Sequence, residues 1–305
     1  MKYFIVCFFF VLALYSRANT YTVTNTNDAG AGSLRQAITN ANTSTGVADL
    51  INFSVTGTIA LASNLPALTD NAGVTIDGTS APGYVANTNS KGSYNGSVVI
   101  QIDGTGLTRG FTISSSNVII KGLNIANVGG AGGTDYAIEI TAGSGSQILG
   151  CYIGTNLAGT SSSGTNTERG IFLNNVSGNY IGDGTAAGRN LISGIKAAGF
   201  GLYLDGAFCS GNGVRGNIIG LQKDGATLMN VKQAYGIYIT NSALGNTIGG
   251  ITRSEGNIIS GNSSYGITVN TTISGGNTIK GNIIGPQADG VSYVSANVQI
   301  GRAHV

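Results

Sequence analysis

GNIIGLQKDG (Gly216–Gly225) returns 65 residues later as GNIIGPQADG (Gly281–Gly290). Neighbouring segments repeat at nearly the same distance, in the pairs GIFL and GIYI (Gly170–Leu173, Gly236–Ile239), GNYIG and GNTIG (Gly178–Gly182, Gly245–Gly249), and RNLISG and GNIISG (Arg189–Gly194, Gly256–Gly261). Short apolar runs that are separated by Gly and Asn and recur at a fixed long period predict stacked structural units. Each unit would bury the face of its neighbour, as in other solenoid proteins.

A shorter cycle lies inside this repeat. A small residue followed by aliphatic-x-aliphatic recurs as AIEI, GIFL, GLYL, GIYI and GITV, starting at residues 137, 170, 201, 236 and 266. Two more short apolar runs lie between successive copies, for example NTIGG (Asn246–Gly250) and NIISG (Asn257–Gly261). Three short β-branched strands in each turn of about 32 residues predict an all-β fold, a parallel β-helix over residues 45–299.

Asparagines at matching repeat positions predict ladders of stacked side-chain amides, pairing Asn190 with Asn257 and Asn217 with Asn282. The Gly-Asn pairs also suit turns that need a left-handed backbone. Before the repeat zone, short β-branched runs bounded by Gly, Asn, Asp or Ser indicate further strands, among them VIIKGLNI (Val118–Ile125).

Residues 19–44 predict a cap over one end of the stack. YTVTN (Tyr21–Asn25) alternates like a strand, and Ser33 with Gln36 three residues later is typical of a capping box at a helix start. The apolar stripe of an amphipathic helix follows, at Leu34, Ala37, Ile38 and Ala41. We therefore expect a short N-terminal capping helix over Ser33–Asn42 that covers the open end of the core.

The composition is that of a folded, turn-rich protein. The 305 residues include 50 Gly, about twice the usual share, and 41% are hydrophobic, which is enough for a core. Charged residues make up 9% and the net charge is +2, with no basic run. This composition argues against nucleic acid as a partner.

Both ends of the chain carry segments that we expect to lie outside the fold. Residues 1–18 combine Lys2, an apolar run and Ser16-Arg17-Ala18, which is typical of a secretory signal peptide. The apolar run is too short to span a bilayer, so we expect a secreted, extracellular or cell-surface protein that is not membrane-spanning. Residues 300–305 match one reading frame of a common short-read sequencing adapter, so we expect a truncated chain and leave His304 out of any mechanism.

TNTNDAGAGSLRQAI (Thr24–Ile38), GVTIDGTSAPG (Gly73–Gly83) and the later GNxIG and NxISGN coils resemble exported bacterial right-handed parallel β-helix proteins, which are pectate-lyase-like in fold. The resemblance covers residues 21–299 and is specific for the fold rather than for an activity. It implies a right-handed helix and a large secreted or surface protein that often ends in a separate sorting domain.

Enzymes of this fold carry motifs that this sequence lacks. Polygalacturonase-like hydrolases have an Asp-Asp pair and Gly-His-Gly, and pectate lyases have Trp-x-Asp-His and Arg-x-Pro; none of these occurs here. The Asp residues before Gly are typical of turns. We therefore expect no catalytic residues, metal or cofactor, a structural role for Arg35, a solvated loop pair at Glu168-Arg169, and buried thiols rather than a disulfide at Cys151 and Cys209.

One set of residues points to a binding face. In the aliphatic-x-aliphatic element the two apolar side chains face inward, so x and the residue two positions later face outward. The candidate ligand-binding residues at these positions are Glu139, Phe172, Asn174, Tyr203, Asp205 and Tyr238. Aromatic rings beside hydrogen-bonding groups suit sugar rings. Two alternatives stay open: a loop such as Leu221–Ala234 covers the rings, or the rings pack on each other as ordinary strand aromatics.

The sequence thus favours a non-catalytic β-helix scaffold that is adhesin-like or glycan-contacting, with a polysaccharide or a cell-surface partner. The alternative is a polysaccharide lyase, glycoside hydrolase or epimerase of the pectate-lyase-like fold. An acid, His and Arg cluster further along a longer gene would favour the enzyme, whereas more coils and a sorting domain would favour the scaffold.

Overall fold

The computed structural model describes residues 18–44, 46–130, 134–164, 167–270 and 276–293. Residues 1–17 of the expected signal peptide and residues 300–305 lie outside this part of the chain. The described residues form one α-helix, α1 (Leu34–Thr43), a short 3₁₀ turn (Gly78–Ser80) and 23 strands. In chain order the strands are β1 (Thr20–Val23), β2 (Asp49–Phe53), β3 (Gly57–Ala60), β4 (Val74–Asp77), β5 (Ile100–Thr105), β6 (Arg109–Ser114), β7 (Ile119–Lys121), β8 (Asn124–Gly129), β9 (Tyr136–Ala142), β10 (Gln147–Leu149), β11 (Tyr152–Ile153), β12 (Arg169–Asn174), β13 (Tyr180–Ile181), β14 (Leu191–Ile192), β15 (Phe200–Asp205), β16 (Gly213–Val214), β17 (Ile218–Ile219), β18 (Tyr235–Thr240), β19 (Thr247–Gly249), β20 (Ile258–Ile259), β21 (Tyr265–Asn270), β22 (Thr278–Lys280) and β23 (Ile283–Ile284).

These strands make three sheets in which every ladder pairing is parallel. The first sheet has the order β1-β2-β4-β7-β10-β13-β16-β19-β22, the second β3-β5-β8-β11-β14-β17-β20-β23, and the third β6-β9-β12-β15-β18-β21. From β4 onward the chain visits the three sheets in strict rotation, so each turn adds one strand to each sheet. The predicted all-β parallel β-helix with three strands per coil is confirmed. VIIKGLNI, which was expected to be one strand, forms β7 and β8 in different sheets, because the chain turns a corner at Gly122, where φ is +67°.

The interior is one continuous stack of aliphatic side chains. In the third sheet Ile138, Ile171, Leu202, Ile237 and Ile267 lie in register along β9, β12, β15, β18 and β21. All five are buried in the main hydrophobic cluster. Because side chains alternate along a strand, the intervening position of each element faces outward. The inward assignment made from the sequence is therefore confirmed.

The Gly that opens four of the five copies of the repeated element lies where the next coil comes close. A Cβ on Gly170 would lie 2.6 Å from the carbonyl oxygen of Gly201, and one on Gly236 would lie 2.5 Å from that of Gly266. Both distances are shorter than any allowed contact. Glycine is thus selected here by close approach of the next coil rather than by an unusual φ.

Helix α1 covers one end of the stack, as predicted. The side chain of Ser33 accepts a hydrogen bond from the backbone N–H of Gln36, and all four residues of the predicted stripe are buried in the main cluster. The capping box is only half formed, because the Gln36 side chain donates to Asn40. Arg35 has the expected structural role: it pairs with Asp28 at 2.6 Å and donates to the carbonyl oxygens of Ser63 and Asn64.

Two ladders of asparagines, buried except for the half-buried Asn277 and Asn282, run along the stack of coils. In the first, each side-chain amide donates to the next side-chain oxygen at 2.8–2.9 Å, in the order Asn190, Asn217, Asn257 and Asn282. The two predicted pairs therefore belong to one ladder in which their members alternate. A second ladder, which the sequence analysis did not identify, contains Asn179, Asn212, Asn246 and Asn277.

The outer face of the second sheet is covered by hairpin-like loops. Antiparallel bridges close them at Thr155–Ser162, Leu221–Leu228 and Pro286–Tyr293, one for every second coil. Neighbouring loops bond through the Lys223 N–H to the Gly159 carbonyl and the Ala288 N–H to the Gly225 carbonyl. A small second hydrophobic cluster lies beneath them.

Both described cysteines are free and buried, as predicted. Burial raises the pKa of each thiol to about 12. Cys151 lies at the start of the first asparagine ladder, where its backbone N–H donates to the side-chain oxygen of Asn190.

In the part of the chain that the structure describes, no helix is long and apolar enough to cross a membrane.

Candidate functional site

The outer face of the third sheet carries aromatic side chains in two columns. One column starts each strand and contains Arg109, Tyr136, Arg169, Phe200, Tyr235 and Tyr265. The other lies three residues further along the strands and contains Thr112, Glu139, Phe172, Tyr203, Tyr238 and Thr268. We call the surface formed by these twelve residues the aromatic face.

The rings of the aromatic face pack on each other both along and across the columns. Tyr203 stacks on Tyr238 with centroids 5.2 Å apart, and Phe200 stacks on Tyr235 at 4.8 Å. Edge-to-face contacts join the columns, as between Tyr235 and Tyr238 at 5.1 Å. Ring packing, one of the two alternatives from the sequence, is therefore present.

Two arginines extend the stack of planar groups. The guanidinium carbon of Arg109 lies 3.9 Å from the Tyr136 ring centroid, and that of Arg169 lies 4.1 Å from the Tyr203 centroid. Such contacts attract the cation to the electron-rich ring face. The expectation of a solvated pair at Glu168-Arg169 is wrong, because the Arg169 side chain lies among rings and is 14% exposed. Glu168 instead lies between Arg169 and Lys196.

The polar candidates lie beside the rings and are already engaged. A carboxylate oxygen of Glu139 accepts from Arg109 at 2.6 Å, and its other oxygen accepts from Asn174 at 3.2 Å. Asp205 pairs in register with Asn174 and accepts from Asn241 at 2.6 Å. The six candidate residues thus form one continuous surface, with Glu139 tied to the cationic end.

Exposure divides the aromatic face into a closed part and an open part. Phe172 and Tyr136 are each 5% exposed, so their ring faces are occupied by neighbours. Phe200, Tyr203, Tyr235, Tyr238 and Tyr265 are half-buried. Burial raises the pKa of the Tyr203 hydroxyl, which stays protonated at neutral pH. Among the described residues, the hydroxyls of Tyr203, Tyr235 and Tyr265 have no hydrogen-bond partner, whereas that of Tyr238 accepts from Asn270.

The loop Leu221–Ala234 does not cover these rings. Leu221 and Leu228 pack in the cluster over the second sheet, and the chain reaches the third sheet only at Ala234, whose N–H donates to the Gly199 carbonyl. The open part of the aromatic face therefore remains accessible from outside, within the part of the chain that the structure describes.

The first column was missed from the sequence. Its members immediately precede the small residue of each repeated element: Tyr136, Arg169, Phe200, Tyr235 and Tyr265. If inward-facing and outward-facing residues alternated strictly from the buried Ile171, Arg169 would face inward. In the structure Gly170 instead faces inward, toward Ile192 and Ile195, so the side chain of Arg169 faces outward. Aromatics at this position in the last three copies were the available signal.

The chemistry of this surface is stacking and hydrogen bonding. Its open phenol hydroxyls can donate to and accept from ligand hydroxyls. Nowhere in the described ranges do three or more His, Cys, Asp or Glu residues come together in a way that could hold a metal ion.

No protein-family model matches this chain, and none of the curated proteins is significantly similar to it.

Proposed function

We propose that the protein is a secreted or cell-surface scaffold, adhesin-like and non-catalytic, whose aromatic face contacts a polysaccharide. The observation that carries this proposal is the open part of the aromatic face, where half-buried rings follow one another coil by coil with unpaired hydroxyls. A polymer lying along the helix axis would meet an equivalent group at each coil, about 4.8 Å apart.

The ring arrangement defines the kind of contact. Within a column the ring planes are nearly parallel, at 10° for Phe200 and Tyr235 and 17° for Tyr235 and Tyr265. Stacked neighbours occupy much of each ring face, so a ligand meets ring edges and hydroxyls as well as the remaining face. Aromatic contacts of this kind contribute about 0.5–1.5 kcal/mol per ring beyond buried area. Single sites are therefore weak, and useful affinity comes from several coils acting together.

A glycan array tests the proposal with two matched triple variants. Tyr203, Tyr235 and Tyr238 are changed to Ala in the first, which removes three half-buried rings while leaving the closed residues Phe172 and Tyr136 intact. Tyr180, Phe208 and Tyr293 are changed to Ala in the second, because these exposed aromatics lie outside the aromatic face. We expect the first variant to lose glycan binding and the second to keep it.

Equal binding by the wild type and the first variant would remove the site assignment. A further variant with Tyr203, Tyr235 and Tyr238 changed to Phe separates the contributions, because it keeps the rings and removes only the hydroxyls. Circular dichroism on each variant checks that the fold is retained. Release of unsaturated or reducing sugar ends by the wild type would contradict the non-catalytic proposal and favour the enzyme alternative.

A further inference from the structure

A cavity of about 230 Å³ lies at the edge of the second sheet, away from the aromatic face. Its apolar part comes from Ile258, Ile283 and Ala288. Three cationic side chains line it, Lys91, Arg189 and Arg253, together with the single carboxylate of Asp289. A concave site with a few converging polar groups is the usual form of a small-ligand site.

One residue that lines the cavity departs from the repeat. Tyr152, Leu191, Ile218, Ile258 and Ile283 are in register, so the residues two positions earlier form one column: Gly150, Arg189, Gly216, Gly256 and Gly281. Arg189 is the only side chain in this column. Two glycines of this column, Gly256 and Gly281, line the cavity beside it.

Arg189 is held rigidly but keeps an unneutralised charge. It is 2% exposed, and its Nε, Nη1 and Nη2 donate to the carbonyl oxygens of Gly216, Gly92 and Ser90 at 2.9, 2.9 and 2.6 Å. No carboxylate pairs with it among the described residues. Burial lowers its pKa to about 10, so it is still protonated at neutral pH. A guanidinium has five N–H donors, which leaves one on each terminal nitrogen for a ligand.

The other charged groups of the cavity add to the positive charge of Arg189. Lys91 and Arg253 are exposed and form no ion pair within the described part of the chain. Asp289 is engaged in its own turn, where a carboxylate oxygen accepts from the N–H groups of Val291 and Ser292 at 2.8 Å. Three cations therefore face one locally bonded carboxylate, and the cavity has a surplus of positive charge.

We propose that this cavity binds a small oxyanion group: a carboxylate, sulfate or phosphate carried by a ligand. A planar guanidinium suits such groups because it can donate two parallel hydrogen bonds to them. The apolar floor of Ile258 and Ile283 accommodates the carbon skeleton beside the anion. This site is independent of the aromatic face and does not rest on the proposed glycan contact.

The test is an NMR titration with inorganic phosphate, sulfate and acetate at constant ionic strength, with glucose as a neutral control. The backbone amides of Gly256, Gly281 and Gly290 report on the cavity. We expect saturable shifts there with at least one anion and none with glucose. A response to phosphate and sulfate would identify a tetrahedral anion, and a response to acetate a carboxylate.

Charge variants make the test specific. K91Q/R253Q should weaken binding about tenfold or more, whereas K232Q, which changes a half-buried lysine outside the cavity lining, should leave it unchanged. D289N keeps the turn acceptor but removes the repelling charge, so it should tighten binding several-fold. Arg189 is left intact because its loss would release the segment around Gly92. Absent shifts, or equal affinities in the wild type and K91Q/R253Q, would overturn the proposal.

Discussion

The side-chain amide of Asn217 donates a 2.9 Å hydrogen bond to the side-chain oxygen of Asn257, which lies in the next coil. The same amide donates to the carbonyl oxygen of Ile181 in the preceding coil, and its oxygen accepts from Asn190. One buried side chain thus bonds to its neighbours on both sides. Buried polar groups that would otherwise lack hydrogen-bond partners find them in the equivalent asparagines of the neighbouring coils.

Replacing Asn217 with Ala should therefore destabilise the protein strongly. Several buried donors and acceptors would lose their partners, and each unpaired group costs about 1–3 kcal/mol, which predicts a loss of roughly 3 kcal/mol or more. Asn282 is the matched control, because it belongs to the same ladder but is half-buried in the last described coil. Urea unfolding should show a smaller loss for N282A, and equal losses would contradict the role of burial in the ladder.

Gly236 offers a test of the spacing between coils. Its Cβ in G236A would lie 2.5 Å from the Gly266 carbonyl oxygen, so the coils must separate or distort. Overpacking of this kind costs about 1–3 kcal/mol. In G130A the nearest atom is 3.3 Å away, and a smaller loss of stability is expected there. The melting temperatures of the two variants are compared. An unchanged melting temperature for G236A would show that neighbouring coils can separate at this point with little loss of stability.

The capping helix should be needed for a closed core. In L34D/I38D two carboxylates would replace apolar side chains that are 0% exposed. A buried charge without an ion-pair or hydrogen-bond partner is strongly destabilising. We expect unfolding or association, seen by circular dichroism and light scattering. Q36D/T39D places the same charges on the exposed side of α1 and should remain folded and monodisperse like the wild type. A folded, unassociated L34D/I38D protein would argue against the cap.

The buried thiols should be inert in the native protein. Cys151 and Cys209 are 0% exposed and have pKa values raised to about 12, so almost no thiolate is present at pH 8. A chromogenic disulfide reagent should label both only after unfolding. The raised values also predict that stability falls above about pH 9, where unfolded thiols lose protons and folded ones keep them. Rapid labelling of the folded protein at pH 8 would contradict this burial.

Much of the fold could be predicted because the repeat has a physical cause at each position. Alternating Ile residues mark the inner face, and the opening Gly marks a close approach of two coils. The register of Phe172, Tyr203 and Tyr238 followed from the same alternation and is present in the structure. The half-formed capping box was not predictable, since Gln36 can bond equally well to Asn40 further along the helix.

Features that depend on distant parts of the chain could not be predicted. Arg189 visibly replaced a Gly of the repeat, but its partners Ser90 and Gly92 lie 99 and 97 residues earlier in the sequence. The outward direction of Arg169 depends on Gly170 turning inward, which breaks the two-residue alternation. The contact between Arg169 and the rings is therefore a product of the fold rather than of local pattern.

The hairpin loops over the second sheet recur only at alternate coils, with Thr155, Leu221 and Pro286 separated by 66 and 65 residues. Because each loop bonds to the loop two coils away, inserting or deleting a single coil would leave one loop without its partner, whereas exchanging two coils would preserve every contact. A change in length by two coils therefore keeps the contacts between these loops, so the loop spacing favours lengthening or shortening in steps of two coils.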